Sequence, residues 1–232
     1  MSLPDRQRAL VEHDGSGTAA TFSRLGGIVL CGGQSSRMGR PKAWLPFGGE
    51  TMLQRVVRLL GQVVCPIVVV AAPRQELPSL PAGTVVAHDA REGRGPLEGL
   101  QAGLSALPAE VPAAYATSCD VPLLVTGFVQ RLSELLAGHD VVVPVDEEGY
   151  HPLAAVYRTR VLPQVAALLA ADQLRPVFLY EHVDTLRVAV AGLRDVDPYL
   201  DSLANVNRPQ DYAAAVIRAG FTLPPEISAE LG

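Results

Sequence analysis

Short apolar runs alternate along most of this chain with longer segments of mixed polarity. Ile67-Val68-Val69-Val70 and Val141-Val142-Val143 are apolar at consecutive positions, without alternation. A strand buried on both faces reads this way, as in a parallel sheet covered by helices. Strands are expected at Gly27–Leu30, Ile67–Ala72, Thr84–Ala87, Ala113–Ser118, Asp140–Val145 and Leu153–Tyr157, with a further one at Thr185–Val190. Helical patterns fill the intervals at Met52–Leu60, Leu97–Leu107, Gly127–Leu136, Val161–Ala170 and Pro209–Ala219. Strand–helix alternation implies right-handed crossovers and a three-layer α/β fold, with a doubly wound, mostly parallel, Rossmann-like sheet. Tyr150–Tyr157 fits this alternation least and reads as an antiparallel or edge strand. Ligands of such sheets bind beyond the carboxyl ends of the strands, so the residues just after each strand are the first candidates for a site.

Composition narrows the picture. The 232 residues suit one domain, and with 48% hydrophobic and 19% charged residues a sizeable core is expected. One domain is read over residues 25–221, with a flexible extension at 1–24 and a tail at 222–232. The formal net charge of -5 argues against nucleic acid as the main partner, because binding phosphates along a strand needs a basic surface. No apolar stretch is long enough to span a membrane, and Met1 to Arg24 lacks the apolar centre of a signal peptide, so a cytoplasmic protein is expected. Cys31, Cys65 and Cys119 are odd in number and form no CxxC pair. They are read as small buried residues rather than as disulfide or zinc partners.

The first strand runs into Leu30-Cys31-Gly32-Gly33-Gln34-Ser35-Ser36-Arg37-Met38-Gly39-Arg40-Pro41-Lys42. Gly32 and Gly33 let backbone turn closely around a ligand, and successive N–H groups in such a turn form an anion cradle. Arg37 adds a planar fork and Lys42 a point charge, both suited to a polyphosphate. The segment is neither a Walker A loop nor a Gly-x-Gly-x-x-Gly loop. Asp120, in Cys119-Asp120-Val121-Pro122-Leu123, directly follows an expected strand. Its carboxylate could hold magnesium or cap the next helix, and position alone leaves both readings open. Asp89 likewise follows a strand and precedes Gly95-Pro96-Leu97-Glu98-Gly99, where a turn hands over to a helix. Asn205 and Asn207 lie on one side of an extended segment with Val206 opposite, and Asn207 could equally serve as a helix cap.

These segments together resemble the molybdenum cofactor guanylyltransferases of the MobA type, within the wider sugar-phosphate and cofactor nucleotidyltransferases. The first loop is similar to Leu-Ala-Gly-Gly-x-x-x-Arg-Met-Gly-x-x-(x)-Lys, with Cys31 where Ala is usual. The resemblance extends through the Cys-Asp-x-Pro, Gly-Pro-Leu-x-Gly, His-Pro-x-x-Ala and Asn-Val-Asn-x-Pro motifs, from Gly26 to Ala219. It implies that Leu30, Cys31, Gly32, Gly33 and Asp89 hold the nucleotide, that Arg37 and Lys42 grip its phosphates, and that Asp120 binds the metal and contacts the nucleotide. Arg37, Lys42 and Asp120 would then carry catalysis, while His151, Asn205 and Asn207 would face the acceptor.

The implied reaction transfers GMP from GTP to the terminal phosphate of molybdopterin, or of its molybdenum form, with Mg2+ and release of pyrophosphate. The partners implied are GTP and the pterin cofactor, with transient contact to cofactor-synthesis proteins or apo-molybdoenzymes. A cytidylyltransferase for the same cofactor fits the first loop equally well, although Gly32-Gly33, Gly95-Pro96-Leu97 and Asn205-Val206-Asn207 lean towards GTP. A sugar-1-phosphate enzyme would normally need a longer chain, and a silent cofactor-delivery subunit would not need Arg37, Lys42 and Asp120 together. Family members can carry a polar Asn after the second strand. This chain has Ala71-Ala72-Pro73 there, so that contact is either lost or supplied from elsewhere.

Overall fold

The computed structural model describes residues 25–32, 41–89, 91 and 93–223. The expected extension at 1–24, residues 224–232 of the tail, and the site candidates Gly33 and Arg37 lie outside them. The strands are β1 (Leu25–Leu30), β2 (Pro46–Phe47), β3 (Glu50–Thr51), β4 (Ile67–Ala71), β5 (Val85–His88), β6 (Ala113–Ser118), β7 (Val141–Asp146), β8 (Gly149–Tyr150), β9 (Ala155–Arg158) and β10 (Thr185–Ala189). The α-helices are α1 (Met52–Leu60), α2 (Pro96–Ser105), α3 (Thr126–Leu135), α4 (Leu162–Ala170) and α5 (Pro209–Arg218).

The main sheet runs β10-β7-β9-β6-β1-β4-β5, with β8 paired to β7. Pairings among β6, β1, β4 and β5 are parallel, as is β7 with β10. β9 is antiparallel to both of its neighbours, β6 and β7. The expected irregular strand is therefore antiparallel but central, because Ala155, Val156 and Tyr157 are buried on both faces between two partners. Its direction has a functional consequence. The start of β9, rather than its end, lies at the carboxyl edge of the parallel strands, with Ala155 opposite Ala116. This brings the residues ahead of β9 to the same edge as those that follow β1 and β6.

Two apolar layers flank the sheet. Leu53, Val56 and Leu60 of α1 pack with Phe128, Val129 and Leu132 of α3 on one face. Leu97, Leu100 and Leu104 of α2 pack with Val165, Leu168 and Leu169 of α4 on the other. Glycines bring α2 tightly against β1: a Cβ on Gly99 would stand 2.4 Å from Leu30 Cδ2, and one on Gly103 2.5 Å from Ile28 Cγ2. A smaller cluster joins Phe47, Met52, Tyr212 and Val216, anchoring α5 to the β2–β3 hairpin. Among the described residues no helix is long and apolar enough to cross a membrane. Cys31 and Cys119 are buried as expected, but Cys65 is exposed, because it sits in the turn ahead of β4 rather than inside the apolar run that follows.

Candidate active site

A cavity of about 560 Å³ opens at the carboxyl edge of β1, β4 and β6. Its walls include Leu30, Cys31 and Gly32 from the end of β1, Asp89 after β5, Asp120 after β6, and Asn205 before α5. Lys42, in a short 3-10 turn spanning Lys42–Trp44, also lines it. The sequence candidates within the described residues thus converge on one opening, with two qualifications. Asn207 reaches the site through Lys42, and His151 lies outside the cavity wall, where Leu153 takes its place.

The charged centre is compact. Lys42 Nζ donates to Asp120 Oδ2 at 2.9 Å and to Asn207 Oδ1 at 2.9 Å. Lys42 and Asp120 are mostly buried, so their attraction is less screened than that of a surface pair. The Ser118 hydroxyl donates to Asp120 Oδ1, and the Val206 N–H donates to the Asp120 carbonyl at 2.8 Å. Asp120 does not cap a helix, since α3 begins only at Thr126 with Val125 as its cap residue. Asn207 is likewise spared capping with its side chain. Asp211 Oδ2 accepts the N–H groups of Asn207 and Arg208 at 3.0 and 2.8 Å, leaving the Asn207 amide oxygen to face Lys42. Val206 is buried between the two asparagines, as the alternation of the segment requires.

On the other wall, Asp89 Oδ1 is buried without a hydrogen-bond partner. A Cβ on Gly32 would lie 3.1 Å from Asp89 Oδ2, so the glycine turn and this carboxylate are in close contact. Burial, and then the nearby Glu98 carboxylate, push the Asp89 carboxyl above its ordinary pKa, while His88 partly offsets them. Glu98 is itself buried in α2 and is held by Arg91 at 3.4 Å and Arg94 at 3.2 Å. Arg94 also lines the cavity, pairs with Asp172 at 2.9 Å and donates to the Leu169 carbonyl at 2.9 Å, tying α2 to the end of α4.

Sequence reasoning passed over Arg94, Glu98, Ser118 and Gln75. The Arg94–Glu98 spacing of four on a helix start was a readable signal. Gln75 carried none. It lies in the loop after β4, accepts from the Ala72 N–H at 2.9 Å and donates to the Cys31 carbonyl at 3.1 Å. A polar side chain does stand at the edge where Ala71-Ala72 lacks one, supplied from further along the chain. His151 Nε2 lies 2.8 Å from Asp146 Oδ2, five residues away. Asp146 Oδ1 also accepts the N–H groups of Glu148 and Gly149, closing the β7–β8 hairpin.

Residues 27–186 match the family described as the MobA-like NTP transferase domain. The chain belongs to this family. It is 38% identical over 190 residues to a Mycobacterium tuberculosis protein named "Probable molybdenum cofactor guanylyltransferase", covering 80% of this chain and 92% of the relative. Its fold matches molybdopterin-guanine dinucleotide biosynthesis protein A of Archaeoglobus fulgidus, with a TM-score of 0.69 at 20% identity over 84% of this chain and 99% of the other. A second fold match is the manganese complex of Rv0371c from M. tuberculosis, with a TM-score of 0.54 at 18% identity over 72% and 89% of the two chains. In this MobA-like chain, residues just past β1, β5 and β6 line the cavity.

Proposed function

We propose that this chain transfers GMP from GTP to the terminal phosphate of molybdopterin, or of its molybdenum form, and releases pyrophosphate. The observation that carries the reading is the meeting of Lys42, Asp120 and Asn207 at the mouth of a cavity whose far wall holds Gly32 and Asp89. The name of the 38% identical mycobacterial relative supports the guanylyl and molybdenum-cofactor parts of it.

The residues around Asp120 suit Mg2+. They offer oxygen donors, from the Asp120 carboxylate, the Ser118 hydroxyl and the Asn207 amide. Among the described residues no group of three or more His, Cys, Asp or Glu forms a closed metal cage. One carboxylate with room for phosphate oxygens and water is a common magnesium arrangement. The thiol of adjacent Cys119 is buried and held well above its ordinary pKa, chiefly by its hydrogen bond to Cys31 and then by burial. When bound, the ion would offset charge on the phosphates and orient the α-phosphorus. The manganese complex of Rv0371c is consistent with a divalent ion in this fold.

The chain's own residues then have definite tasks. Lys42, held by Asp120 and Asn207, places positive charge where the triphosphate must lie. Gly32 allows the backbone to approach the nucleotide without a Cβ. Asp89 offers a carboxylate oxygen without a protein partner, which suits the N–H donors along the edge of guanine. Outside the described residues, Arg37 and Gly33 would complete the phosphate grip. A phosphate acceptor has its second pKa at about 6 and is already largely dianionic at neutrality. The chain therefore needs no general base, and catalysis rests on alignment and charge compensation.

The test is pyrophosphate release with molybdopterin and Mg2+, comparing GTP with CTP. The expected result is turnover with GTP that collapses in Asp120→Ala. Preference for CTP would replace the guanylyl reading with a cytidylyl one. GTP binding without any turnover would favour a cofactor-delivery role.

A further inference from the structure

The β1–β4 ladder stops short of where its register would carry it. The Gly27 N–H donates to Pro66 O at 2.8 Å and the Cys31 N–H to Val70 O at 2.7 Å, with Leu30 opposite Val70. In a parallel ladder an alternate residue bonds its neighbouring strand through both its N–H and its C=O. Having donated to Val70, Cys31 would next accept from the N–H of Ala72. Instead, the Gln75 carboxamide stands between these two groups. Its Oε1 takes the Ala72 N–H at 2.9 Å and its Nε2 donates to the Cys31 carbonyl at 3.1 Å. A carboxamide carries the same donor and acceptor as a peptide, so it satisfies both groups while keeping the strands apart.

The local chain is shaped to deliver this side chain. The Gln75 N–H closes a turn onto the Ala72 carbonyl at 3.1 Å, and Arg74 within that turn has φ +65°. A non-glycine residue in that region is a strained choice that its surroundings must hold in place. Cys31, Ala72 and Gln75 all line the cavity, and Gly32 follows at once. A Cβ on Gly32 would already lie 3.5 Å from the Ala72 nitrogen, so there is little slack between this turn and the end of β4.

We propose that Gln75 is a positioning residue, a side-chain wedge that splices into the β1–β4 ladder and holds the nucleotide end of the cavity open. Without it, the Ala72 N–H and Cys31 C=O can bond directly, zipping the ladder by one rung and drawing the Cys31-Gly32 turn onto β4. The consequence for nucleotide binding rests on the function proposed above, whereas the wedge itself does not. Closing one backbone rung is modestly favourable, and a nucleotide would first have to reopen it, so affinity falls by the fraction of molecules left open.

The test uses the full chain with Gln75→Ala. A crystal structure of the variant should show the Ala72 nitrogen within about 3.2 Å of the Cys31 oxygen. The Kd for Mg-GTP, read by fluorescence with a labelled GTP, should rise about fivefold. The Tm should stay within a degree or so of the parent, because one satisfied pair replaces another. Strands that remain splayed, with water in place of the amide, would overturn the wedge. So would unchanged GTP affinity, or a lowered Tm with affinity intact, which would mark Gln75 as a structural bridge only. If the parent chain itself fails to bind GTP, the proposed function fails, and the variant's structure alone still decides the wedge.

Discussion

At the β1–β6 part of the sheet edge, Lys42, Asp120 and Asn207 come from three distant parts of the chain and meet around one ammonium. At the β7–β9 part, Asp146 and His151 are five residues apart and meet across one hairpin. Both join a carboxylate to a nitrogen-bearing side chain next to a strand end, and a motif search treats them alike. They differ in what each needs in order to form. The Lys42 cluster requires the 3-10 turn before β2, the end of β6 and the entry to α5 to be assembled together, and it borders a cavity. The Asp146–His151 pair needs only a local turn, whose N–H groups Asp146 also accepts. Long-range convergence of polar side chains on an opening is the costlier arrangement, since it fixes several segments at once, and so it is better evidence of chemistry.

The sharpest way to break this contrast is to remove the centre of the cluster. Asp120→Ala should lower kcat by about 10²- to 10³-fold, the scale for losing one charge-stabilising contact at a reacting centre. Pyrophosphate release under saturating GTP and Mg2+ measures it. A drop of less than about tenfold would mean that the metal is held elsewhere and that the convergence is structural.

Asp89→Asn tests the opposite wall. A hydrogen bond to a charged group is worth about 1.5–3 kcal/mol, so GTP affinity should fall roughly tenfold to a hundredfold. Stability should move the other way. Burial raises the Asp89 pKa in the folded state, so the ionised carboxylate disfavours folding at neutral pH. That cost is relieved as the pH falls through the raised value. The Asn variant should therefore have a higher Tm than the parent at pH 7, with the gap narrowing in acid. A variant that lost both stability and GTP binding would show Asp89 to be a structural residue.

Asn207→Ala should cost about tenfold in kcat/KM, because it removes an acceptor that helps hold the Lys42 ammonium in place. Its helix should survive, since Asp211 accepts the Asn207 and Arg208 N–H groups at the entry to α5, and the Asn207 side chain is turned to Lys42 instead. Circular dichroism alongside the kinetics separates the two roles.

How far these features could be read from sequence follows from the range of the interactions. β1, β4 and β6 are apolar on both faces, and burial between helices leaves that pattern on the residues themselves. Asp120 was visible because a carboxylate just past such a strand has only one edge to occupy, whereas Asp89 follows the largely exposed β5 and stood out only through the family resemblance. β9 was ambiguous because its direction is set by its partners β6 and β7, not by its own side chains. The Lys42–Asn207 contact spans 165 positions, and neither residue's neighbourhood specifies the other. Gln75 was invisible for a related reason. Its role depends on a ladder rung that its neighbours would otherwise close, and a missing rung leaves no mark in composition or periodicity.

The smallest effect is expected at His151, and it is the one that separates local from convergent pairs most cleanly. The His151 hydrogen bond is the largest influence holding the Asp146 carboxyl below its usual range. A depressed aspartate pKa contributes stability above the ordinary carboxylate range, and that contribution is lost as pH falls through the folded value. His151→Ala should therefore leave kcat at pH 7 within about threefold of the parent, the level expected for a side chain away from the reacting atoms. It should also shift acid unfolding slightly towards higher pH, because Asp146 then titrates closer to its ordinary range. Exposure of the pair keeps both changes small. If His151→Ala instead cost as much activity as Asp120→Ala, the hairpin pair would have to reach the acceptor during turnover. The boundary between the two regions would then move from the cavity wall to the start of β9.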